Sequence, residues 1–172
     1  MTLAELSRKE CRTELEFMFA AHRVNIKKLD YLIGRAILPK IHRPVLKNNV
    51  INGMLKGFID LVFCHHGRYY VLDYKSNYLG NDITAYGQKA MTKAMLKHRY
   101  DLQYVLYTLA LHRLLKSRLA NYDYQRDVGG AVYLFLRGVA TDGRGVFVDK
   151  PPWSLIKTLD NLFAGKDGLN DC

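Results

Sequence analysis

Polar and apolar residues alternate over Thr13–Ala20 (TELEFMFA), the period of a half-buried strand. Over Lys27–Leu38 the apolar positions Leu29, Leu32, Ile33 and Ala36 recur at helical spacing, and Pro39 ends the run. Pro44–Val50 reads as loop or short strand. Gly53–Cys64 and Tyr69–Ser76 are β-rich runs divided by His66-Gly67, which predicts a hairpin. Asn77–Asp82 is a loop, and Asp82 or Thr84 caps a helix reaching about His98. Asp101 is placed to N-cap a second helix, to about Leu119, with an apolar stripe of Leu102, Val105, Leu106, Leu109, Ala110 and Leu114. Gly129–Leu136 (GGAVYLFL) reads as a buried strand, Val146–Val148 as an edge strand, and Pro151-Pro152 open a last helix over Trp153–Ala164. An N-terminal arm over 1–12 and a tail over 165–172 complete a single α/β domain, a central mixed β-sheet flanked by α-helices.

The hairpin breaks its own apolar pattern at Asp60, Asp73 and Lys75. Ions taken out of water cost several kcal/mol each unless paired or metal-bound. If His66 and Gly67 form a two-residue turn, residues 65 and 68 close it, and counting back along both strands sets Asp60 opposite Asp73. Lys75, two residues on, shares the face of Asp73. Two adjacent carboxylates repel, and a hard divalent cation relieves that repulsion. With a nearby lysine to meet phosphate charge, the set suits phosphodiester hydrolysis. The same residues also admit a structural ion pair of Lys75 with Asp60 or Asp73.

The chain has 172 residues, 49% of them hydrophobic, and a net charge of +10. That charge points to a polyanionic partner, DNA or RNA, or else serves solubility alone. No apolar run is long enough to span a bilayer and no signal peptide is recognisable, so no membrane association is expected. Cys11, Cys64 and Cys172 are scattered and form no Cys-x-x-Cys pair, which excludes a zinc or iron–sulfur reading and points to a reducing, cytoplasmic setting. The six histidines, His65-His66 at the turn included, show no ligand spacing.

Gln103 and Tyr107 lie four apart on one helix face and can bond phosphate oxygens, although a tyrosine beside a leucine stripe also fits a core edge. Glu14 or Glu16 could add a third acid, or stay solvated. Lys89, Lys93, Lys97 and Arg99 form one basic surface and Arg113, Lys116 and Arg118 another; either is a phosphate-contacting or a solvated face.

Four blocks in order, GMLKGFIDLVF, GRYYVLDYKSNYLG, HRYDLQYVLYTLALHRLL and GGAVYLFLRG, resemble the C-terminal nuclease domain of the RecB family, the exodeoxyribonuclease V β subunit. The resemblance runs from about Thr13 to Gly165. It implies the restriction-endonuclease-like fold of the PD-(D/E)XK superfamily and Mg²⁺-dependent DNA hydrolysis in double-strand break repair, with Mn²⁺ or Ca²⁺ able to substitute. It implies that Asp60, Asp73 and the main-chain carbonyl of Tyr74 bind the metal, that Lys75 is catalytic, and that Gln103 and Tyr107 are a further motif beside the site. A family glutamate best matches Glu14. The implied partners are DNA, RecC-like and RecD-like subunits and RecA. An alternative role is a DNA-binding or RecA-docking module with little catalysis. No Gly-x-x-x-x-Gly-Lys-Ser/Thr phosphate loop is present, so no helicase region is expected within the chain. The family's upstream histidine ligand has no counterpart block; His22 and His42 lie outside any match, which implies a weaker metal grip.

Overall fold

The computed structural model describes residues 6–7, 10–140 and 143–166. The elements are β1 (Cys11–Asn25), α1 (Ile26–Ala36), β2 (Val50–His65), β3 (Arg68–Lys75), α2 (Gln88–Lys97), α3 (Tyr100–Arg118), α4 (Tyr124–Asp127), β4 (Val128–Phe135), β5 (Val146–Asp149) and α5 (Trp153–Phe163). The strands form one sheet in the order β1-β2-β3-β4-β5, antiparallel except for the parallel β3–β4 pair. This is the expected mixed sheet with flanking helices.

The turn is as the hairpin count requires. His66 and Gly67 both adopt positive φ, 48° and 72°, as a tight two-residue turn demands. His65 faces Arg68, and the register runs back through Val62–Val71 to Leu61–Leu72. There the β2–β3 ladder ends. β2 continues paired only with β1, and the end of β3 pairs with β4, Asp73 with Tyr133 and Lys75 with Phe135.

α1, α2, α3 and α5 bury apolar residues in one core, against Val62, Val71, Ala131 and Tyr133 of the sheet. Leu61, Phe63 and Leu72 form a smaller cluster with Leu6, Tyr70, Val132 and Leu134. Leu61 and Phe63 therefore point away from the main core, yet Ile59, of the same parity, is buried in it. The reversal falls where Glu14, φ 49°, lies between the pairs Thr13–Leu61 and Leu15–Ile59. Gly57 lets Phe17 pack flat beyond this kink, since a Cβ there would lie 2.5 Å from the Phe17 ring.

Several boundaries differ from the sequence reading. β1 includes Cys11 and Arg12, assigned above to an arm, because its pairing with β2 begins at Cys11–Phe63. The helix expected from Asp82 is split: Asp82 Oδ1 accepts from Thr84 N at 2.7 Å and caps a 3₁₀ turn, Ile83–Tyr86, and α2 starts after Gly87. Asp101 is not an N-cap. Arg99, in the left-handed region, holds that position, and Asp101 is wholly buried in the first turn of α3. It accepts from Arg43 Nη1 at 2.6 Å and Arg99 Nε at 3.1 Å. Arg43 also donates to the carbonyls of Ile37 and Leu38, and Arg99 pairs with Asp30 at 2.6 Å. This network ties the connection after α1 to the start of α3. Residues 167–172 of the expected tail lie outside the described residues. No described helix is long and apolar enough to cross a membrane.

Candidate metal and phosphodiester site

The site lies where β2 and β3 part. Asp60 does not pair with Asp73 in the ladder; its Oδ2 instead accepts the main-chain N–H of Tyr74 at 2.9 Å. That bond fixes the Asp60 carboxylate beside the end of β3. Asp73 and Lys75 share one face of β3, as their spacing requires, and both are buried, at 4% and 9% exposure. Lys75 Nζ is 2.5 Å from Asp73 Oδ2.

The lysine is enclosed by residues from α3 and β4. Nζ donates to Gln103 Oε1 at 2.9 Å, and Tyr133 OH donates to the same oxygen at 3.0 Å. Gln103 Nε2 in turn donates to Tyr107 OH at 2.9 Å. Gln103 and Tyr107, one helical turn apart, therefore reach the hairpin through Lys75 rather than through its carboxylates. Nζ also lies 3.9 Å from the ring centroid of Tyr100 and 5.1 Å from that of Tyr133. Sequence reasoning missed Tyr100 and Tyr133. Tyr133 sits in a run that reads as plain core, and only the parallel β3–β4 pairing brings it beside Asp73. It also missed Arg137, exposed just past β4, whose Nε donates to the carbonyl of Ser76 at 3.0 Å.

The electrostatics favour a cation. Burial raises the Asp73 pKa above the ordinary carboxylate value; Lys75 opposes the shift and the charge of Asp60 adds to it. Burial chiefly raises Tyr107 and Tyr133 as well, and the charges of both aspartates add to each, so the two carboxylates act on the same space. Asp73 Oδ2 is buried, and its close partner is the Lys75 ammonium. A buried carboxylate next to a second carboxylate fits a hard divalent ion.

Other expected residues fall elsewhere. Glu14 falls in the unpaired step between Thr13–Leu61 and Leu15–Ile59 and is exposed, and among the described residues no three His, Cys, Asp or Glu side chains converge on a common point. The Glu14 side chain, at the positive-φ kink, lies in solvent rather than in the buried setting of Asp73. Glu16 pairs with Lys56 at 3.0 Å. Lys89, Lys93 and Lys97 are exposed on α2, as a phosphate-facing surface requires. Arg99 is not part of that surface. Its side chain is 10% exposed and committed to Asp30, Asp101 and the Pro44 carbonyl. Arg113 is engaged with Asp160 at 2.6 Å.

Comparison with known proteins shows the family. A family model described as the PD-(D/E)XK nuclease superfamily matches residues 3–161. The RecBCD enzyme subunit RecB of Escherichia coli (strain K12) is 49% identical over 168 residues, 96% of this chain and 14% of that protein. The corresponding subunit of Haemophilus influenzae is 43% identical over 169 residues, 95% of this chain and 14% of its own. That of Mycobacterium tuberculosis (strain H37Rv) is 41% identical over 126 residues, 68% of this chain. The chain thus spans about one-seventh of the length of the first two relatives.

Proposed function

The chain belongs to the PD-(D/E)XK nuclease superfamily, and from that membership we propose that it is a Mg²⁺-dependent deoxyribonuclease domain acting in double-strand break repair. The observation that carries this reading is the buried Asp73–Lys75 contact of 2.5 Å, set beside Asp60 and held by Gln103. A structural ion pair needs no second carboxylate in the same space.

Asp60, Asp73 and the main-chain carbonyl of Tyr74 would hold the cation. When bound, it would supply Lewis acidity, lowering the pKa of a water and drawing charge from a phosphoryl oxygen. Water attacks phosphorus, and the P–O bond opposite it breaks. Lys75 Nζ donates to the non-bridging oxygen that gathers charge in the transition state. Gln103 sets the direction of that ammonium and, through Nε2, the position of the Tyr107 hydroxyl, which with Lys75 orients the strand or the water. Lys89, Lys93, Lys97 and Arg137 contact the phosphates of the DNA around the scissile bond.

By likeness to RecB, DNA is the substrate, and RecC-like and RecD-like subunits and RecA are the partners. The single domain over 1–172 accounts for the nuclease step and for no unwinding.

The reading is tested by digesting linear DNA in Mg²⁺ with the wild-type chain, Asp73→Ala and Lys75→Ala, each checked for folding by circular dichroism. Either substitution should slow cleavage by about 100-fold or more. Unchanged cleavage by both would refute the assignment, and tight DNA binding without any cleavage by the wild type would favour an interaction module instead.

A further inference from the structure

Lys75 carries a flexible four-carbon stem and a compact ammonium without the planar fork that pre-organises arginine. Its nearest counter-charge, the Asp73 carboxylate at 2.5 Å, is also a proposed ligand of the cation. A divalent ion on that carboxylate would repel the ammonium from it. What remains to keep Lys75 in place is Gln103 Oε1 and two aromatic faces.

Those faces are themselves fixed. The Tyr100 and Tyr133 ring centroids lie 6.0 Å apart with planes inclined by 34°. Tyr100 OH donates to Asn77 Oδ1 at 3.2 Å, and its ring stacks on His98. Tyr133 is fully buried, packs edge-on against Tyr104, and donates its hydroxyl to Gln103 Oε1. A cation over an aromatic face is attracted by the ring quadrupole, most strongly where water is excluded, whereas an anion is not.

We propose that Tyr100 and Tyr133 are positioning residues of the nucleolytic reaction: they form a two-walled aromatic cradle that holds the Lys75 ammonium where it meets the scissile phosphate. Tyr133 acts a second time by orienting Gln103 Oε1. The cradle rests on the nuclease reading above.

The test uses the full chain. kcat and KM for linear DNA in Mg²⁺ are measured for wild type, Tyr100→Phe, Tyr100→Leu and Lys75→Ala, with thermal melting as the folding control. Tyr100→Leu should lower kcat by about ten-fold with KM within about two-fold, and Tyr100→Phe should stay within about two-fold of wild type in both. A second readout needs neither metal nor DNA: in NMR spectra the Lys75 ε-methylene protons should be shifted upfield in wild type and Tyr100→Phe, and move part of the way back towards the ordinary position in Tyr100→Leu, where Tyr133 remains. Wild-type kcat in Tyr100→Leu, equal losses in the Phe and Leu variants, or unshifted ε-protons in the wild type would each overturn the cradle. Lys75→Ala that cleaves like wild type overturns the nuclease assignment itself. Lys75→Ala inert beside a fully active Tyr100→Leu overturns the cradle alone.

Discussion

Asp60 Oδ2 accepts the main-chain N–H of Tyr74 at 2.9 Å, and this one bond spans the gap left where the β2–β3 ladder stops after Leu61–Leu72. A carboxylate thus replaces a missing ladder bond, and in the proposed function it also offers charge to a cation. The two can be separated. Asp60→Asn keeps an acceptor oxygen for Tyr74 and loses the charge, so it should melt near the wild type yet lose Mn²⁺ binding in titration calorimetry. Asp60→Ala should lose both and be destabilised by about 1 kcal/mol more. Equal Mn²⁺ affinity in wild type and Asp60→Asn would remove Asp60 from the ligand set. Saturating Mn²⁺ should also raise the melting temperature of the wild type, since a ligand at 100 times its Kd stabilises by about 2.7 kcal/mol, and chelator should reverse the gain.

The exposed lysines of α2 make a prediction in salt. Each phosphate contact contributes roughly 0.7–0.9 to the slope of log K against log salt. Replacing Lys89, Lys93 and Lys97 together with Gln should therefore flatten that slope by about 2 in a DNA-binding assay. An unchanged slope would mean that this face is merely solvated.

Asp101 predicts a folding defect without any chemistry. It is fully buried between Arg43 and Arg99, and removal of one partner from a buried ion pair costs about 3–5 kcal/mol because the remaining charges lose their compensation. Asp101→Ala should lower the urea midpoint accordingly. A loss below about 1 kcal/mol would show that the network is solvated, as surface pairs are.

His112 predicts a pH dependence. It is buried at 2% exposure; Nδ1 meets Tyr122 OH at 2.8 Å, while Nε2 stays 4.0 Å from Asp160 and without a hydrogen-bond partner. Burial lowers its pKa below the ordinary value, with Lys116 and Arg113 adding and Asp160 opposing. A histidine depressed in the folded state binds fewer protons there than when unfolded, so its contribution is fully present above about pH 6.5 and is lost as the pH falls through the folded value. The urea midpoint of the wild type should fall between pH 7 and pH 5 more steeply than that of His112→Gln. Parallel curves would exclude His112 as the cause.

The cluster of Asp60, Asp73 and Lys75 was legible because charges inside apolar strands stand out; the turn gave the register only as far as Leu61–Leu72, and the direct pairing of Asp60 with Asp73 counted from it is replaced by the bond from Asp60 to Tyr74. Gln103 and Tyr107 were legible through fixed helical spacing. Tyr133 was not, since a tyrosine in a buried strand looks like packing until the parallel neighbour is known. Arg99 and Asp101 misled because their partners, Asp30 and Arg43, lie 69 to 58 residues away in the chain. Local capping rules then favoured Asp101 as a helix start, and a basic run favoured Arg99 as a phosphate contact; the buried network overrode both. Glu14 matched a family position in sequence, but a left-handed kink decides where its side chain goes, and no alternation of residues announces that.

β2 is continuous from the outlying ribbon it shares with β1, through Asp60, into the hairpin. Below Ile59 that ribbon has no third strand beside it and is steadied by helices alone. Asp60 therefore sits at the shoulder of an arm. Asp73 is tied to β4 through its pairing with Tyr133, so the two carboxylates belong to differently supported stretches of backbone.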